Sequence, residues 1–406
     1  MRVDLLTKEF PPKVYGGAGV HVAELSKVLA ELVEVKVHAF GGPRENAPEV
    51  HGYNDVAELA DANAALQSLG VDLCMAQGAE GADLVHSHTW YANMAGHWAK
   101  LLHGIPHVIS AHSLEPLRPW KAEQLQGGYR VSSWAEKTAY EAADGIIAVS
   151  NGMKEDILRC YPNIDPKKVY VVHNGIDLDG WLPDHSEAGA VAASKTLARL
   201  GIAQGVPTVV FVGRITRQKG LPYLLKALRQ LPAEVQIVLC AGAPDTPQIM
   251  QEVVSLVEEL RKEREQVIWI EEMLPREELV QVLDNSTLFV TPSVYEPLGI
   301  VNLEAMAVSL PVVGTATGGI PDVIVHEETG LLVPIEQVTD GTGTPLDPEK
   351  FENDLAAAIN RVLADPAWAA EMGRAGRKRV EDHFSWSAIA KRTVAVYEQV
   401  LAGFDS

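Results

Sequence analysis

The chain has 406 residues, with 34 lysines and arginines against 54 aspartates and glutamates, and a formal net charge of -20 at pH 7. Such an acidic chain is poorly suited to nucleic acid or anionic membranes, so we expect neither as a partner. Hydrophobic residues make up 47% and charged residues 22%, as in ordered globular proteins. The length exceeds that of a usual single core and predicts two domains of similar size.

Cysteines and hydrophobic runs bear on the cellular compartment. Cys74, Cys160 and Cys240 fit no zinc or redox spacing, and we expect them to be buried, reduced thiols. Met1 leads straight into RVDLLT without a basic and apolar leader, and no apolar run is long enough to cross a bilayer. These features predict a cytoplasmic protein, whereas its oligomeric state stays open.

Strand-like runs alternate with loops or helical patterns along the chain. They fall at residues 2–7, 33–40, 83–88, 107–112, 145–150 and 169–175, and then at 208–213, 235–242, 267–272, 288–293 and 311–316. This alternation predicts an α/β protein with two doubly wound parallel sheets. We place the domains at residues 1–178 and 179–385. Ligands of such sheets bind beyond the carboxyl ends of the strands, so we expect the site in a cleft between two facing domains.

The segment SVYEPLGIVNLEAM, residues 293–306, follows the predicted strand at 288–293. The periodic residues after Gly299 predict an amphipathic helix, so the glycine lies at the joint between strand and helix. The free N–H groups of a helix start, together with the helix dipole, favour an anion such as phosphate. Glu296 lies before this turn and Glu304 inside the helix, so the two carboxylates should flank the anion.

Two cations follow an earlier strand of the same domain. The run VVFVGR leads into ITRQKG, which supplies Arg214 and Lys219. Both are suited to hold a diphosphate. Taken singly, these charges and Glu304 could equally be ordinary surface residues, but their combination after two strands of one domain favours a site.

The segments GRITRQKG and EPLGIVNLEA together resemble the retaining glycosyltransferases of the GT-B fold, the group that includes glycogen synthases and sucrose synthases. The resemblance implies transfer of a hexose from a nucleotide diphosphate. It implies that Arg214 and Lys219 hold the diphosphate, Glu304 the ribose hydroxyls and Glu296 the sugar hydroxyls. It also implies that a final helix, within residues 386–406, returns to the first domain.

The resemblance assigns further residues to the donor. The turn YGGAG at residues 15–19 lacks the GxGxxG spacing of nicotinamide and flavin sites, which argues against those cofactors. In the similar enzymes this loop closes over the donor phosphates, and a later loop receives the purine. The remaining donor-binding candidates are Gly17, Gly19, Met273, Leu274, Leu298, Gly299 and Ile300.

The segment AHSLEPLRPWK, residues 111–121, carries candidates for catalysis and acceptor binding. The resemblance implies that His112 contacts the donor sugar and helps to position the reacting centre, and we expect no general base. Arg118, Trp120 and Lys121 suit a sugar phosphate, since sugars stack on indole rings and cations attract phosphate. They could equally form a surface loop. The segment resembles a group of smaller actinobacterial enzymes that join glucose from ADP-glucose to glucose 1-phosphate.

Two other motifs set limits on the function. HSHTWYA, at residues 86–92, has Thr89 where the larger glycogen synthases have aspartate, which weakens the inference of a glucan acceptor. Asp177 and Asp179 form a DxD pattern, but in the predicted linker this pattern favours a capped turn. We therefore predict no metal and no cofactor, because the two cations and the helix start would offset the charge of the leaving group.

The donor and acceptor remain open between several candidates. The donor is either ADP-glucose or UDP-glucose, and the acceptor is either glucose 1-phosphate or a glycogen chain end. Each choice depends on a few loop contacts. A nucleotide-sugar 2-epimerase of the same architecture is the alternative enzyme, and a sugar-nucleotide sensor or inactive scaffold is the alternative without catalysis. The joint presence of His112, Arg214, Lys219, Glu296 and Glu304 favours an enzyme.

Overall fold

The computed structural model describes residues 1–14, 16–44, 47, 49–118, 127–340 and 342–404. The chain divides into two compact units, one formed by Met1–Gly175 with Trp386–Ser406 and the other by Ile176–Ser385. The sequence-based boundary after residue 178 lies just inside the second unit. None of the described helices combines the length and apolar composition that a bilayer-spanning segment requires.

The first unit is built on a parallel sheet of seven strands in the order β3-β2-β1-β4-β5-β6-β7. Its strands are β1 Arg2–Thr7, β2 Glu34–Phe40, β3 Val50–Tyr53, β4 Leu84–His88, β5 His107–Ala111, β6 Gly145–Ala148 and β7 Val169–Val171. Strand order reverses beside β1, where β2 follows on one side and β4 lies on the other. In such sheets the crevice beyond the carboxyl ends of the strands at the reversal is the usual ligand site.

Helices cover both faces of this sheet. They are α1 Gly17–Leu29, α2 Ala64–Gly78, α3 Trp90–His103, α4 Gly127–Ala142, α5 Asn151–Cys160 and the carboxyl-terminal α14 Trp386–Phe404. Successive side chains of a strand point to opposite faces. Accordingly, Leu5 packs in a core with residues of α1 and α14, whereas Leu6 packs in another with residues of α2 and α3. The last helix thus belongs to the first unit, as the resemblance implied.

The second unit repeats the arrangement with six parallel strands in the order β10-β9-β8-β11-β12-β13. They are β8 Thr208–Arg214, β9 Gln236–Gly242, β10 Val267–Ile270, β11 Leu288–Thr291, β12 Val312–Thr315 and β13 Gly330–Val333. The helices are α6 Glu187–Leu200, α7 Leu221–Ala227, α8 Pro247–Glu263, α9 Arg276–Asp284, α10 Ile300–Ala307, α11 Ile320–Val323, α12 Pro348–Leu363 and α13 Pro366–His383. The reversal lies between β8 and β11.

The predicted α/β class and doubly wound sheets are confirmed, and the helix predicted after Gly299 is α10. The predicted strands omitted β3 and β13. Each is a four-residue strand at the edge of its sheet, and β3 has no buried residue. The strand β3 mixes polar and apolar residues, so its hydrophobic pattern is weak. The strand β13 has an apolar run at residues 331–333, but the run is only three residues long.

Candidate active site

A largely buried ion pair lies at the carboxyl ends of β8 and β11. Lys219 Nζ donates to Glu296 Oε2 at 2.6 Å, and Ser293 Oγ donates to the same oxygen at 3.1 Å. The two charged side chains are only 16% and 8% exposed. The structure therefore brings together the cation and the carboxylate that were predicted from separate motifs, at the point where strand order reverses.

Close contact between two loops creates this pair. Gly220 has a φ of +65°, and a Cβ atom there would lie 1.9 Å from the carbonyl oxygen of Pro292. The same two loops are joined by a hydrogen bond of 2.9 Å, which Val294 N donates to Gln218 O. Only glycine tolerates both this conformation and this approach. Gly220 thus lets the loop after β8 lie against the loop after β11, which places Lys219 beside Glu296.

The turn before α10 has the geometry expected of an anion-binding helix start. Gly299 has a φ of +90° and directly precedes Ile300, the first residue of the helix. Leu298 is buried, so its side chain belongs to the core and the backbone is the part available at the turn. The sequence reasoning missed Asn302, which packs against Gly299. Asn302 is buried and accepts a hydrogen bond from Thr291 Oγ1.

Glu304 is a partly buried carboxyl group on α10. Burial raises its pKa to about 7, and the nearby charges of Arg276 and Lys219 offset part of that rise. Arg276 begins α9 and also donates to Asp177 Oδ2 at 2.9 Å. The sequence reasoning missed Arg276 because it reads as an ordinary first residue of a surface helix.

The raised pKa of Glu304 predicts a pH effect on stability. A carboxyl group that binds its proton more tightly when folded stabilises the fold at low pH, and this contribution is lost as pH rises towards the folded pKa. From an unfolded value near 4.5 to about 7, the loss between pH 5 and pH 8 is roughly 2–3 kcal/mol. The free energy of unfolding is measured in urea for wild type and Glu304→Gln at both pH values. We expect this loss only in wild type. Equal pH dependence in both proteins would contradict the assignment.

Arg214 lies at the end of β8 and pairs with Asp245 through a contact of 3.2 Å. The structure thus places its side chain with Asp245 and not with the Lys219–Glu296 pair. The Arg214 side chain is 53% exposed, and exposed pairs of this kind contribute about 0–1 kcal/mol. Little free energy therefore opposes a turn of Arg214 towards an arriving diphosphate, and its role stays a prediction.

A second glycine turn, at residues 317–321, holds the backbone of Glu296. Gly319 N donates to Glu296 O at 2.8 Å. Gly318 has a φ of +53°, and a Cβ atom there would lie 2.0 Å from the same carbonyl oxygen. This turn follows β12, so a third strand end contributes to the position of the carboxylate.

The turn yields a test with a matched control. Gly318→Ala should destabilise the protein and slow transfer, because the methyl group adds backbone strain and displaces Glu296. Gly201→Ala adds strain at a φ of +74° without any atom within 4 Å of the new methyl group. The control should lose only about 1–2 kcal/mol and keep its turnover. Equal turnover in the two variants would show that the Gly318 contact does not position Glu296.

In the first unit, His112 directly follows β5 and is partly buried. Its Nε2 lies 3.0 Å from Nδ1 of His88, the last residue of β4. Burial lowers the pKa of His112 to about 4, so the ring is uncharged at neutral pH. A neutral imidazole can contact a sugar hydroxyl without adding charge. Thr89, next to His88, has a φ of +66°, a strained conformation of the kind that clusters at functional sites.

Of the glycines at the start of α1, Gly19 has a structural explanation of its own. A Cβ atom at Gly19 would lie 2.7 Å from Cβ and 2.8 Å from Oε2 of Glu9. Glu9 Oε2 in turn accepts a hydrogen bond of 2.8 Å from Gly16 N. Packing against Glu9 therefore accounts for Gly19. Gly17 begins α1, and donor contacts of Gly17 and Gly19 stay a prediction.

The remaining candidates lie in loops. Arg118 donates to Ser113 Oγ at 3.1 Å, whereas the predicted acceptor residues Trp120 and Lys121 lie outside the described residues. Met273 is 88% exposed and open to a ligand, whereas Leu274 is buried. Their contacts with a purine stay a prediction.

The DxD pattern forms the predicted turn. Asp177 Oδ1 accepts a hydrogen bond of 3.1 Å from Gly180 N, and Asp179 begins a single 3₁₀ turn. Asp177 also pairs with Arg276, so its carboxylate already has two partners. The structure thus gives this motif a structural role.

The two doubly wound units, with a largely buried lysine and a glycine turn before a helix at the strand ends of the second, are typical of GT-B glycosyltransferases. Residues 15–179 match the family model described as "Glycosyltransferase Family 4", and residues 194–379 match the model described as "Glycosyl transferases group 1". The chain belongs to these GT-B glycosyltransferases and is a hexosyltransferase, as the sequence motifs predicted.

Individual relatives narrow the comparison. The chain is 53% identical to the alpha-maltose-1-phosphate synthase of Mycolicibacterium smegmatis, across 99% of this chain and 100% of that one. It is 50% identical to the protein of the same name in Mycobacterium tuberculosis, with the same coverage. A solved structure, the sucrose-phosphate synthase of Thermosynechococcus elongatus, has a TM-score of 0.78 and 26% identity, covering 99% of both chains.

Proposed function

We propose that this hexosyltransferase moves glucose from ADP-glucose to glucose 1-phosphate, forming α-maltose 1-phosphate in the synthesis of α-glucan. Full-length identity to relatives named for that product supports the choice of product. The observation that carries the chemistry is the largely buried Lys219–Glu296 pair at the strand reversal of the second unit.

The donor occupies the second unit in this proposal. The diphosphate lies at the Gly299 turn, where the N–H groups at the start of α10 and Lys219 meet its charge. Arg214 leaves Asp245 and joins the same phosphates. Glu304 accepts from the ribose hydroxyls in its ionised form, while Glu296 contacts the glucose hydroxyls. His112 contacts the donor sugar in this proposal, as the resemblance implies.

The reaction exchanges one bond at the anomeric carbon. The bond from C1 of glucose to the phosphate oxygen of ADP breaks, and the 4-hydroxyl oxygen of the acceptor bonds to C1 on the same face. The hydroxyl proton passes to the departing phosphate, so the products are the disaccharide phosphate and ADP. Lys219, Arg214 and the helix start stabilise the charge that develops on the leaving group. With these groups in place, the proposed reaction needs no metal or cofactor.

The acceptor assignment relies on the segment after His112. Arg118, together with Trp120 and Lys121 of the sequence motif, supplies the charge and aromatic surface that suit a sugar phosphate. A glycogen chain end is the alternative acceptor, and it would have no need of the two cations. The cytoplasmic location stays a prediction.

A crossed product assay tests the function. ADP-glucose and UDP-glucose are each incubated with glucose 1-phosphate and with glycogen, and the products are identified by NMR. We expect maltose 1-phosphate with an α linkage from ADP-glucose and glucose 1-phosphate. Elongated glycogen as the main product, or faster transfer from UDP-glucose, would replace the proposed acceptor or donor. Conversion of the donor into an isomeric nucleotide sugar without acceptor would identify a 2-epimerase.

A further inference from the structure

Three histidines of the first unit converge at the carboxyl end of its sheet. They are His21 on α1, His88 at the end of β4 and His112 after β5, which we call the histidine triad. One ring nitrogen from each lies within 4.8 Å of those of the other two. The His88 and His112 nitrogens are already 3.0 Å apart.

Polar atoms of the triad are left without partners in a buried setting. His21 is 5% exposed, and neither of its ring nitrogens makes a hydrogen bond of good geometry among the described residues, although the side chain of Asn174 is close enough to interact with the ring. His88 is fully buried, and its Nδ1, which faces His112, is the nitrogen that a shared ligand would contact. Buried polar atoms without partners cost free energy, so each calls for a ligand, a water molecule or a proton partner.

The chemistry of the triad suits a metal of the zinc type. The imidazole ring is the commonest metal ligand in proteins, and zinc sites use ring nitrogens that converge on one point. The side chain of Asn174 lies close to His21, and its buried Oδ1 has no hydrogen bond of good geometry among the described residues.

We propose that the histidine triad binds one divalent transition-metal ion of the zinc type, and that the bound ion inhibits glucosyl transfer by capturing His112. Histidine nitrogens bind zinc at about 2.0–2.1 Å, so two such nitrogens lie about 3.4 Å apart in a tetrahedral site. His88 and His112 are already near that separation, and His21 has to approach them by up to about 1.4 Å, from at most 4.8 Å to about 3.4 Å. The fourth position is left to water or to Asn174 Oδ1.

The inhibitory part rests on the proposed role of His112 in contacting the donor sugar, whereas metal binding does not. Each neutral ring keeps its own proton on the nitrogen that faces away from the ion, so binding needs no oxidant or other reactant. The site differs from the phosphate-binding turn, which belongs to the second unit. Zinc inhibition is therefore compatible with a reaction that itself needs no metal.

Isothermal titration calorimetry with Zn²⁺ on the full chain tests the binding. We expect one ion per chain in wild type. His21→Phe should weaken binding by more than the roughly 10–100-fold that loss of an outer partner of a metal ligand costs. His97→Phe, which removes a partly buried histidine outside the triad, is the matched control and should bind as wild type. Undiminished binding in His21→Phe would overturn the site.

Folding and background binding need separate checks. Circular dichroism and thermal unfolding verify that His21→Phe is folded, and His21→Leu serves as a second variant if it is not. The expectation that the cysteines are buried is wrong for Cys74, which is exposed, whereas Cys160 and Cys240 are partly buried. Cys74 could bind zinc through its thiolate, so Cys74→Ser is titrated in parallel. Loss of the single zinc site in Cys74→Ser would overturn the assignment to the triad.

Activity then tests the consequence. Zinc should inhibit transfer by wild type and by His97→Phe at concentrations that fill the site, and a chelator should restore it. His21→Phe should need at least tenfold more zinc for the same inhibition. Zinc that fills the triad without slowing transfer would refute the inhibitory part. If no donor and acceptor pair reacts at all, the proposed function fails, while calorimetry still decides the metal site.

Discussion

Lys219→Met is expected to lower turnover by about 10²–10³-fold, the usual effect of removing one group that stabilises transition-state charge in a buried site. The ammonium group lies on the second unit and contacts Glu296, three residues before Gly299, where the leaving diphosphate is proposed to bind. Methionine keeps the length and apolar character of the side chain but supplies no charge. ADP should also bind more weakly, because the product carries the same diphosphate. Turnover is measured with saturating donor and acceptor.

The control for Lys219→Met is Lys226→Met. Lys226 belongs to the same unit, is more exposed and pairs with Glu352 at 3.1 Å. Its loss should leave turnover near the wild-type value, because an exposed pair contributes little. Undiminished turnover in Lys219→Met, or equal losses in both variants, would remove Lys219 from the chemistry.

Glu296→Gln is expected to lower kcat/KM by about 10- to 100-fold, while the affinity for ADP stays unchanged or increases. The kinetic loss corresponds to roughly 1.5–3 kcal/mol for a hydrogen bond to a charged group. ADP lacks the glucose that Glu296 is proposed to contact, and removal of a nearby negative charge favours the diphosphate. Glu252→Gln, which disrupts the exposed pair with Arg217, is the matched control. A parallel loss of ADP affinity would show that Glu296 acts on the nucleotide and not on the sugar.

The effects of these substitutions on stability can be separated from their effects on catalysis, because Lys219 and Glu296 form one ion pair. Breaking a buried pair by removing one partner costs about 3–5 kcal/mol at most, since the other charge is left in an apolar setting. The double variant Lys219→Met/Glu296→Gln removes both charges and should regain part of this stability without regaining activity. Recovery of activity together with stability would mean that the pair serves the fold alone.

Local spacing was enough to predict much of this architecture. Strands and helices follow from runs and periodicities of neighbouring residues, and Gly299 was predictable because a glycine between a strand and a helix has a distinct backbone role. Lys219 and Glu296 were identified from two separate motifs, which the structure joins by a 2.6 Å contact.

Contacts between distant segments were not predictable in this way. Gly318 reads as an ordinary turn residue, and only the fold shows that a side chain there would collide with the carbonyl of Glu296. Arg276 gains its importance from neighbours that include Glu304, and Arg214 pairs with Asp245 on another loop. Each of these depends on tertiary packing, which no periodicity in the sequence encodes.

The histidines show the same limit. His112 was predicted from the resemblance of its segment to known enzymes, and His88 lay in a motif that was examined for its acceptor contacts. Their 3.0 Å approach, and the position of His21 beside them, arise from parallel strands and a helix start that meet at one sheet edge. Strand order had to be known before these side chains could be grouped.

A crystal structure of the chain with ADP tests the central claim most directly. The account predicts the diphosphate at the start of α10, with an oxygen in hydrogen-bond contact with Lys219 Nζ and another with a backbone N–H next to Gly299. The ribose should lie at Glu304. A nucleotide bound away from Lys219 and Gly299 would contradict the account.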